Sequence, residues 1–261
     1  MSKVLVTESY LSDIADAIRT KSGGGTTYKP SEMAQGILDI PSGGGWTTDG
    51  IASGTEPNGA ITINANNVSD IRRNAFYQCR GITELTIVGT PYFGYEAFRG
   101  CSNLETINAR DLTYIKSGYY GSQTNVFYGC TKLKGIVLPS LDGSVYNIDA
   151  NNFRDCTSLK YADINNLSKL GDRIFSGCTV FDTLIIRKTG GVPTLSGLPV
   201  FENTPFASGK TGGTLYVPSS LVSSYQSATN WSTILSYTNN QILPIEGSYY
   251  ETHYADGTEI L

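Results

Sequence analysis

The sequence predicts an α+β repeat solenoid, a stack of parallel coils with a small helical module at its N-terminus. Five cysteines occupy the same position of one repeated segment, and these segments recur at the intervals that solenoid repeats use. Charged residues make up only 16% of the 261-residue chain, which also contains 29 glycines. This composition favours short strands and many turns over long helices.

The repeated segment reads F-x-x-C-x-x-L-x-x-L-x-L. Its phenylalanine and cysteine pairs are Phe76/Cys79, Phe98/Cys101, Phe127/Cys130, Phe153/Cys156 and Phe175/Cys178. Successive phenylalanines lie 22 to 29 residues apart, which is the range of leucine-rich repeats. No two cysteines have the C-x-x-C spacing of metal or redox sites. We therefore expect a structural core ladder, in which each Phe and each Cys stacks on its counterpart in the next coil.

The L-x-L pair of each coil predicts a short strand whose alternate side chains point inward. The residue between the two then faces outward, as do tyrosines in the inserted loops, and Tyr is common on binding surfaces. The candidate binding surface is Thr86, Asn108, Asp163, Tyr119, Tyr120 and Tyr146, with Val137 and Ile185 at the equivalent outward position. The alternative is that the tyrosines only pack the edges of the solenoid.

The unit A-F-x-x-C-x-x-L-x-x-I-x-[IL] resembles BspA-type leucine-rich repeats over residues 62–218. The resemblance implies a solenoid of parallel coils. We place the solenoid at residues 50–218, ending in a sixth coil that keeps Phe206 but has no Cys. Residues 219–261 predict a C-terminal cap: a helix that Ser219 or Ser220 caps and that runs to Trp231, then a hairpin with an Asp256-Gly257 turn.

Residues 1–41 differ in pattern from the repeats. Apolar residues at helical spacing predict two short helices, with Leu11, Ile14 and Ile18 on the first and Met33 and Ile37 on the second. A Gly-rich linker follows at residues 42–49. Two short helices cannot bury a core of their own, so they pack on the solenoid or dock on another chain. We favour a docking and oligomerisation module.

The segments beginning Leu11-Ser-Asp-Ile-Ala-Asp-Ala-Ile-Arg and Lys29-Pro-Ser-Glu-Met-Ala resemble the leader of tail, baseplate and fibre proteins from bacteriophages and prophages. The resemblance implies a structural protein of the virion tail, assembled in the host cytoplasm. Its partners would be other tail or baseplate proteins, a host-surface glycan or protein, and copies of the same chain, as a trimer. The alternative is a bacterial cell-surface or secreted adhesin, a class that needs a signal peptide or wall anchor.

Charge and histidine content argue against other classes of function. The net charge is −4, and no run of basic residues is longer than Arg72-Arg73, so we expect no nucleic-acid partner. No apolar run approaches the length of a membrane span, so we expect no membrane insertion. The one histidine, His253, excludes a histidine-based triad or multi-histidine metal site within one chain. We expect no enzyme activity, no catalytic residues, no cofactor and no metal.

Overall fold

The computed structural model describes residues 57–64, 70–71, 73–89, 92–109, 125–138, 146–148 and 150–253. Several predicted features lie outside these residues: the N-terminal module with Leu11, Ile14, Ile18, Met33 and Ile37, the linker at 42–49, Tyr119, Tyr120 and the Asp256-Gly257 turn.

The described chain is built from short strands and a few short helices. The strands are β1 (Gly59–Asn64), β2 (Asp70–Ile71), β3 (Ile82–Val88), β4 (Tyr92–Phe93), β5 (Thr106–Asn108), β6 (Gly135–Leu138), β7 (Tyr146–Ile148), β8 (Tyr161–Ile164), β9 (Leu167–Leu170), β10 (Thr183–Ile186), β11 (Thr194–Leu195), β12 (Thr214–Val217) and β13 (Gln241–Pro244). The α-helices are α1 (Val222–Ser227) and α2 (Trp231–Leu235), and 3₁₀ turns span Leu198–Phe201, Ser219–Leu221 and Tyr249–Glu251.

Two walls of parallel strands form the solenoid. The main wall contains β1-β3-β5 and then β6-β8-β10-β12-β13, in this order along the stack. The second wall contains β2-β4 and β7-β9-β11. Every neighbouring pair is parallel. Because the neighbours are successive turns of one winding chain, the predicted solenoid of parallel coils is confirmed.

The L-x-L residues of successive coils stack in register on the main wall. Ile136 of β6 lies beside Ala162 of β8, which lies beside Leu184 of β10. All three are buried. A single coil could not cover such side chains, and burying a leucine or isoleucine side chain stabilises the stack by roughly 1.5–3 kcal/mol.

The phenylalanines stack in one ladder through the core. Ring centroids are 4.9 Å apart for the first pair, Phe76 and Phe98, and 6.1 Å for the last, Phe175 and Phe201. The pairs between them are 5.4 to 6.0 Å apart and nearly parallel. Phe76 at the N-terminal end is half-buried, whereas the rings that follow are buried.

The phenylalanine ladder shows that the sixth coil was aligned on the wrong phenylalanine. Phe201, not Phe206, continues the stack, and buried Thr204 takes the place of the cysteine. The preceding residue, Asn203, has a positive φ of 59°, as do the residues before each earlier cysteine. Phe206 instead packs against Phe181, with ring centroids 5.9 Å apart.

All five cysteine side chains are buried beside the phenylalanines. Four thiols donate to the carbonyl oxygen of the phenylalanine one coil earlier: Cys101 to Phe76, Cys130 to Phe98, Cys156 to Phe127 and Cys178 to Phe153, over 3.0 to 3.3 Å. The small side chain therefore fills the core and also gives that carbonyl a second hydrogen bond, beside the one it accepts from the backbone N–H of the cysteine in its own coil.

Cys79 is the first cysteine of the predicted ladder. Its side chain is fully buried, and its backbone N–H donates to the carbonyl of Phe76 at 3.2 Å, as the equivalent N–H does in the later coils. Cys79 therefore occupies the buried core position that the ladder predicts for it.

The C-terminal cap differs from the single helix that the sequence predicts. Two short helices form, because Ala228 is extended and Asn230 has a φ of 65°. The predicted serine caps are wrong: Ser219–Leu221 is a 3₁₀ turn, and no side chain caps α1. Trp231 is buried, and its Nε1 donates to the carbonyl of Pro193 at 2.7 Å.

The predicted boundary after residue 218 also needs correction. Strand β13 pairs in parallel with β12 and adds another strand to the main wall. The segment after it, residues 245–253, is not the first arm of a hairpin; it contains the 3₁₀ turn Tyr249–Glu251. This segment, which we name the C-terminal strap, lies against the outer face of the main wall.

Candidate functional site

The outer face of the main wall is exposed in the N-terminal coils. Asn108 is exposed and Thr86 is half-buried, and they are register partners on neighbouring strands. Exposed Glu84 and Thr106 are also register partners on the same two strands. The structure therefore brings together two of the predicted surface residues, Thr86 and Asn108, on one polar face.

The same face is covered in the C-terminal coils, so the prediction that Asp163 is exposed is wrong. Asp163 and Ile185 are both fully buried, and Val137 is half-buried. Tyr161, Ile185 and Ile245 form a second apolar cluster, and Tyr250 of the strap packs against it. The strap thus shields outward-pointing apolar side chains that the strand pattern leaves on the outside.

An ion pair holds the strap in place. Arg187 donates to both carboxylate oxygens of Asp163, each at 2.8 Å, and only 12% of the arginine side chain is exposed. The same guanidinium donates to the carbonyl oxygens of Tyr250 and His253, each at 2.6 Å. Asp163 therefore has a structural role: it orients the arginine that binds the strap.

The predicted tyrosine sites are only partly described. Tyr119 and Tyr120 lie outside the described residues, and Tyr146 lies on β7 of the second wall.

Another surface lies at the turn between the second wall and the main wall. The residue after each ladder phenylalanine is Tyr77, Arg99, Tyr128 and Arg154 in the first four coils. The Arg99 guanidinium lies 6.0 Å from the Tyr77 ring centroid and 4.7 Å from that of Tyr128. The Arg154 guanidinium lies 5.7 Å from the Tyr128 ring. We name these four residues the Tyr–Arg stripe.

Acidic neighbours anchor the stripe. Glu96, which is mostly buried, forms a salt bridge with Arg99. The carboxylate of Asp155 lies 3.8 Å from Nε of Arg154. A hydrogen bond to Asp155 raises the pKa of the Tyr128 hydroxyl, and partial burial adds to the shift, so the ring stays neutral at ordinary pH. Each arginine side chain remains more than a third exposed.

Sequence reasoning missed the stripe because it sought outward residues on the strands. The signal was present: the residue after each ladder phenylalanine alternates Tyr and Arg over four coils. In the next two coils the position holds Ser176 and Glu202, so the basic and aromatic character ends there.

The thiols are poorly suited to chemistry. All five cysteines, from Cys79 onward, lie in the described residues, and none forms a disulfide. Burial raises the pKa of Cys156 to about 12 and raises the pKa of Cys130 and Cys178 well above the usual value. A thiol must lose its proton to act as a nucleophile or ligand.

Two further kinds of site are absent from the described ranges. No group of three or more His, Cys, Asp or Glu residues among them is placed to hold a metal ion. No described helix has the length and apolar character needed to cross a membrane.

Parallel coils with one Phe and one Cys stacked per turn define a leucine-rich-repeat solenoid. The sequence profile described as "BspA type Leucine rich repeat region (6 copies)" matches residues 56–125 and 122–192, which is more than half of the chain. The chain therefore belongs to the BspA-type leucine-rich repeat family.

Two solved structures are similar to this chain. A leucine-rich repeat protein of T. pallidum is 24% identical over 52% of this chain and 66% of its own, with a TM-score of 0.32. A leucine-rich repeat protein of Bacteroides ovatus is 21% identical over 60% of this chain and 53% of its own, with a TM-score of 0.34. The chain thus spans less than two thirds of either protein. Comparison with curated proteins gives no match.

Proposed function

We propose that this chain is a non-enzymatic, tail-associated protein of a phage or prophage. Residues 1–41 dock it on the tail or baseplate and join copies of the chain, and the solenoid presents a binding surface to the host cell or to neighbouring tail proteins. The protein would be assembled in the host cytoplasm and reside in the virion tail. The observation that carries the proposal is the leader motif, whose sequence predicts two apolar helical faces in a segment too short to bury them alone.

The solenoid has the features that a presenting module needs. Its Phe and Cys ladders form a continuous core within the coils, and the helices with Trp231 and Tyr225 contribute buried aromatic side chains to that core at its C-terminal end. Two surfaces stay open: the polar face around Asn108 and the Tyr–Arg stripe. Proteins of this architecture use long repeated surfaces for recognition.

A bacterial surface adhesin remains the second candidate, because membership of the BspA-type family fits either role. The two differ in what the leader does. A tail protein requires residues 1–41 for docking and copy number, whereas an adhesin of this family needs only its repeats to bind.

The experiment compares the full chain with a chain lacking residues 1–45, by light scattering, thermal melting and recovery in purified particles. We expect the truncated chain to melt at nearly the same temperature, and to lose both oligomerisation and incorporation. Ile14→Asp should act like the truncation, because it places a carboxylate on the apolar helical face. Ser12→Asp adds the same charge to the polar face and should behave like the native chain.

Three results contradict the proposal. Truncation that unfolds the solenoid would make the leader a structural cap. Equal incorporation of the full and truncated chains would remove its docking role. Recovery of the full chain on the bacterial surface, with none in particles, would favour the adhesin.

A further inference from the structure

We propose that the Tyr–Arg stripe binds a linear anionic glycan, whose acidic groups contact the guanidiniums while its sugar rings lie along the edges and hydroxyls of the tyrosines. The proposal names a ligand class for the surface that the solenoid presents. It rests on the proposed function only in treating the solenoid as the part that meets a ligand, and it does not depend on what the leader docks to.

The first argument is the fixed orientation of the arginines. Arg99 lies between the rings of Tyr77 and Tyr128, and Arg154 stacks on the far side of Tyr128. A free arginine side chain loses much rotational freedom when it binds a ligand. Stacking on aromatic rings removes that freedom beforehand, so less is lost per contact formed. The stripe is therefore preorganised for recognition.

The second argument is the donor capacity that remains. A guanidinium has five N–H donors, and a single neighbouring carboxylate accepts from at most part of them. The Arg99 and Arg154 side chains keep 36% and 38% of their surface exposed. Carboxylate and phosphate groups match the remaining N–H edges in bidentate geometry. Arg73, stacked 5.2 Å from the ring centroid of Tyr95, adds an exposed positive charge in the first coil.

The third argument is the repeat distance. Coils in a parallel stack are separated by about 4.8 Å, so the same turn position two coils apart repeats at about 10 Å. Phe76, Phe98 and Phe127 stack in unbroken succession, which keeps these turns in register although the lengths of chain between them differ. This repeat is close to the length of a disaccharide in an extended polysaccharide. Alternating Tyr and Arg thus fits a chain that carries one acidic group in every two sugars.

The stripe also limits what else can bind. At the same turn position the fifth and sixth coils carry Ser176 and Glu202, and the serine hydroxyl donates to the glutamate at 3.3 Å. The alternation of Tyr and Arg therefore stops after four coils, and the next arginine along the stack, Arg173, is paired with Asp172 and Glu202. So few cations neutralise too few phosphates for nucleic-acid binding. The half-buried tyrosines between the arginines add ring edges and hydroxyls, which favour a ligand with sugar rings over a plain polyanion.

The experiment titrates the full chain with hyaluronan oligosaccharides, a linear glycan with a carboxylate on every second sugar, by calorimetry. We expect saturable binding to the acid form and at least tenfold weaker binding to its methyl ester, which keeps the sugars and removes the charge. Poly(glycerol phosphate) without sugar rings and poly-glutamate should also bind at least tenfold more weakly. Equal binding of the ester, or of either ring-free polyanion, overturns the proposal.

Matched variants test the residues. Arg154→Gln should weaken binding about tenfold, the loss expected for one charge-assisted bidentate contact. Arg99→Lys keeps the charge but loses planar stacking, and should weaken binding by a similar factor. Lys134→Gln is the control, because Lys134 is exposed, outside the stripe and paired with Glu105 at 2.9 Å. A loss in the control equal to that of Arg154→Gln, or native binding by Arg99→Lys, refutes the assignment.

Thermal melts of each variant separate loss of binding from loss of fold. Tyr77→Ser removes one ring at the end of the stripe and should weaken binding even if an arginine variant proves unstable; native affinity in this variant contradicts the proposal. Failure of glycan binding with normal particle incorporation overturns the stripe alone. Normal glycan binding without incorporation overturns the tail function alone.

Discussion

The ion pair between Asp163 and Arg187 gives the sharpest test of how the C-terminal strap is held. Asp163→Ala removes a fully buried carboxylate whose two oxygens each accept a 2.8 Å hydrogen bond from Arg187. The arginine is then left nearly buried without its counter-charge. Breaking such a pair from one side costs about 3–5 kcal/mol.

Arg187→Ala should cost at least as much, because this arginine also donates to the carbonyls of Tyr250 and His253. The double variant should cost less than the sum of the two single losses, since neither charge is then left buried and unpaired. We expect a coupling energy of about 2 kcal/mol between the two sites.

The assay is urea unfolding of the four chains, followed by circular dichroism, with limited proteolysis to report release of the strap. We expect cleavage after residue 245 to accelerate in both single variants before the coils unfold. If Asp163→Ala costs less than about 1 kcal/mol, or if the two losses add without coupling, the pair does not fasten the strap.

Two more predictions concern the core. Gly135→Ala should destabilise by about 1–3 kcal/mol in chemical denaturation, because a β-carbon there would fall 2.0 Å from the Tyr161 ring. Gly190→Ala meets no atom within 4 Å and should be nearly neutral; equal losses would contradict this packing. Cys156 should react with iodoacetamide at pH 8 far more slowly in the native state than in urea, because its pKa is about 12. Because folding raises the pKa of the Cys156 thiol from 9.0 to about 12, its contribution to the free energy of unfolding is complete below pH 9 and is lost as the pH rises through 12. Fast labelling of the native protein, or a free energy of unfolding that stays constant over this pH range, would refute the burial of this thiol.

The repeated pattern was enough to predict the ladder and the strands of the main wall. A phenylalanine and a cysteine at fixed spacing must occupy equivalent places in successive coils, and Leu184 beside Ala162 follows from the same alignment. Each of these contacts joins equivalent positions of neighbouring coils, so the repeated sequence pattern predicts them directly. The pattern holds for its first member too: Cys79 matches the others in spacing and is fully buried like them.

The sixth coil was misassigned because its marker residue is absent. Thr204 replaces the cysteine, and two phenylalanines, Phe201 and Phe206, compete for the ladder position. The backbone decides between them: the left-handed turn at Asn203 places Phe201 in the stack. Asn tolerates this conformation better than most residues, and that preference was the available signal.

The burial of Asp163 could not be predicted from the strand pattern. Alternation along β8 says only that its side chain leaves the solenoid core. Whether it then meets water depends on the strap, whose carbonyls contact Arg187 across 63 and 66 residues of sequence. The Tyr–Arg stripe was missed for a different reason, because its members lie in turns, where outward direction follows from the coil geometry rather than from alternation.

The unequal length of the coils has an evolutionary consequence. The chain between Phe98 and Phe127 is longer than that between Phe76 and Phe98, yet the rings stack at 5.4 Å and 4.9 Å, and the Cys130 thiol still reaches the carbonyl of Phe98. The extra residues between these two phenylalanines leave the ladder unchanged. The sequence between two ladder positions can therefore change, or a whole coil can be duplicated, while the Phe and Cys contacts between neighbouring coils stay the same. Descendants of such a gene can diversify what they recognise faster than they change how they fold.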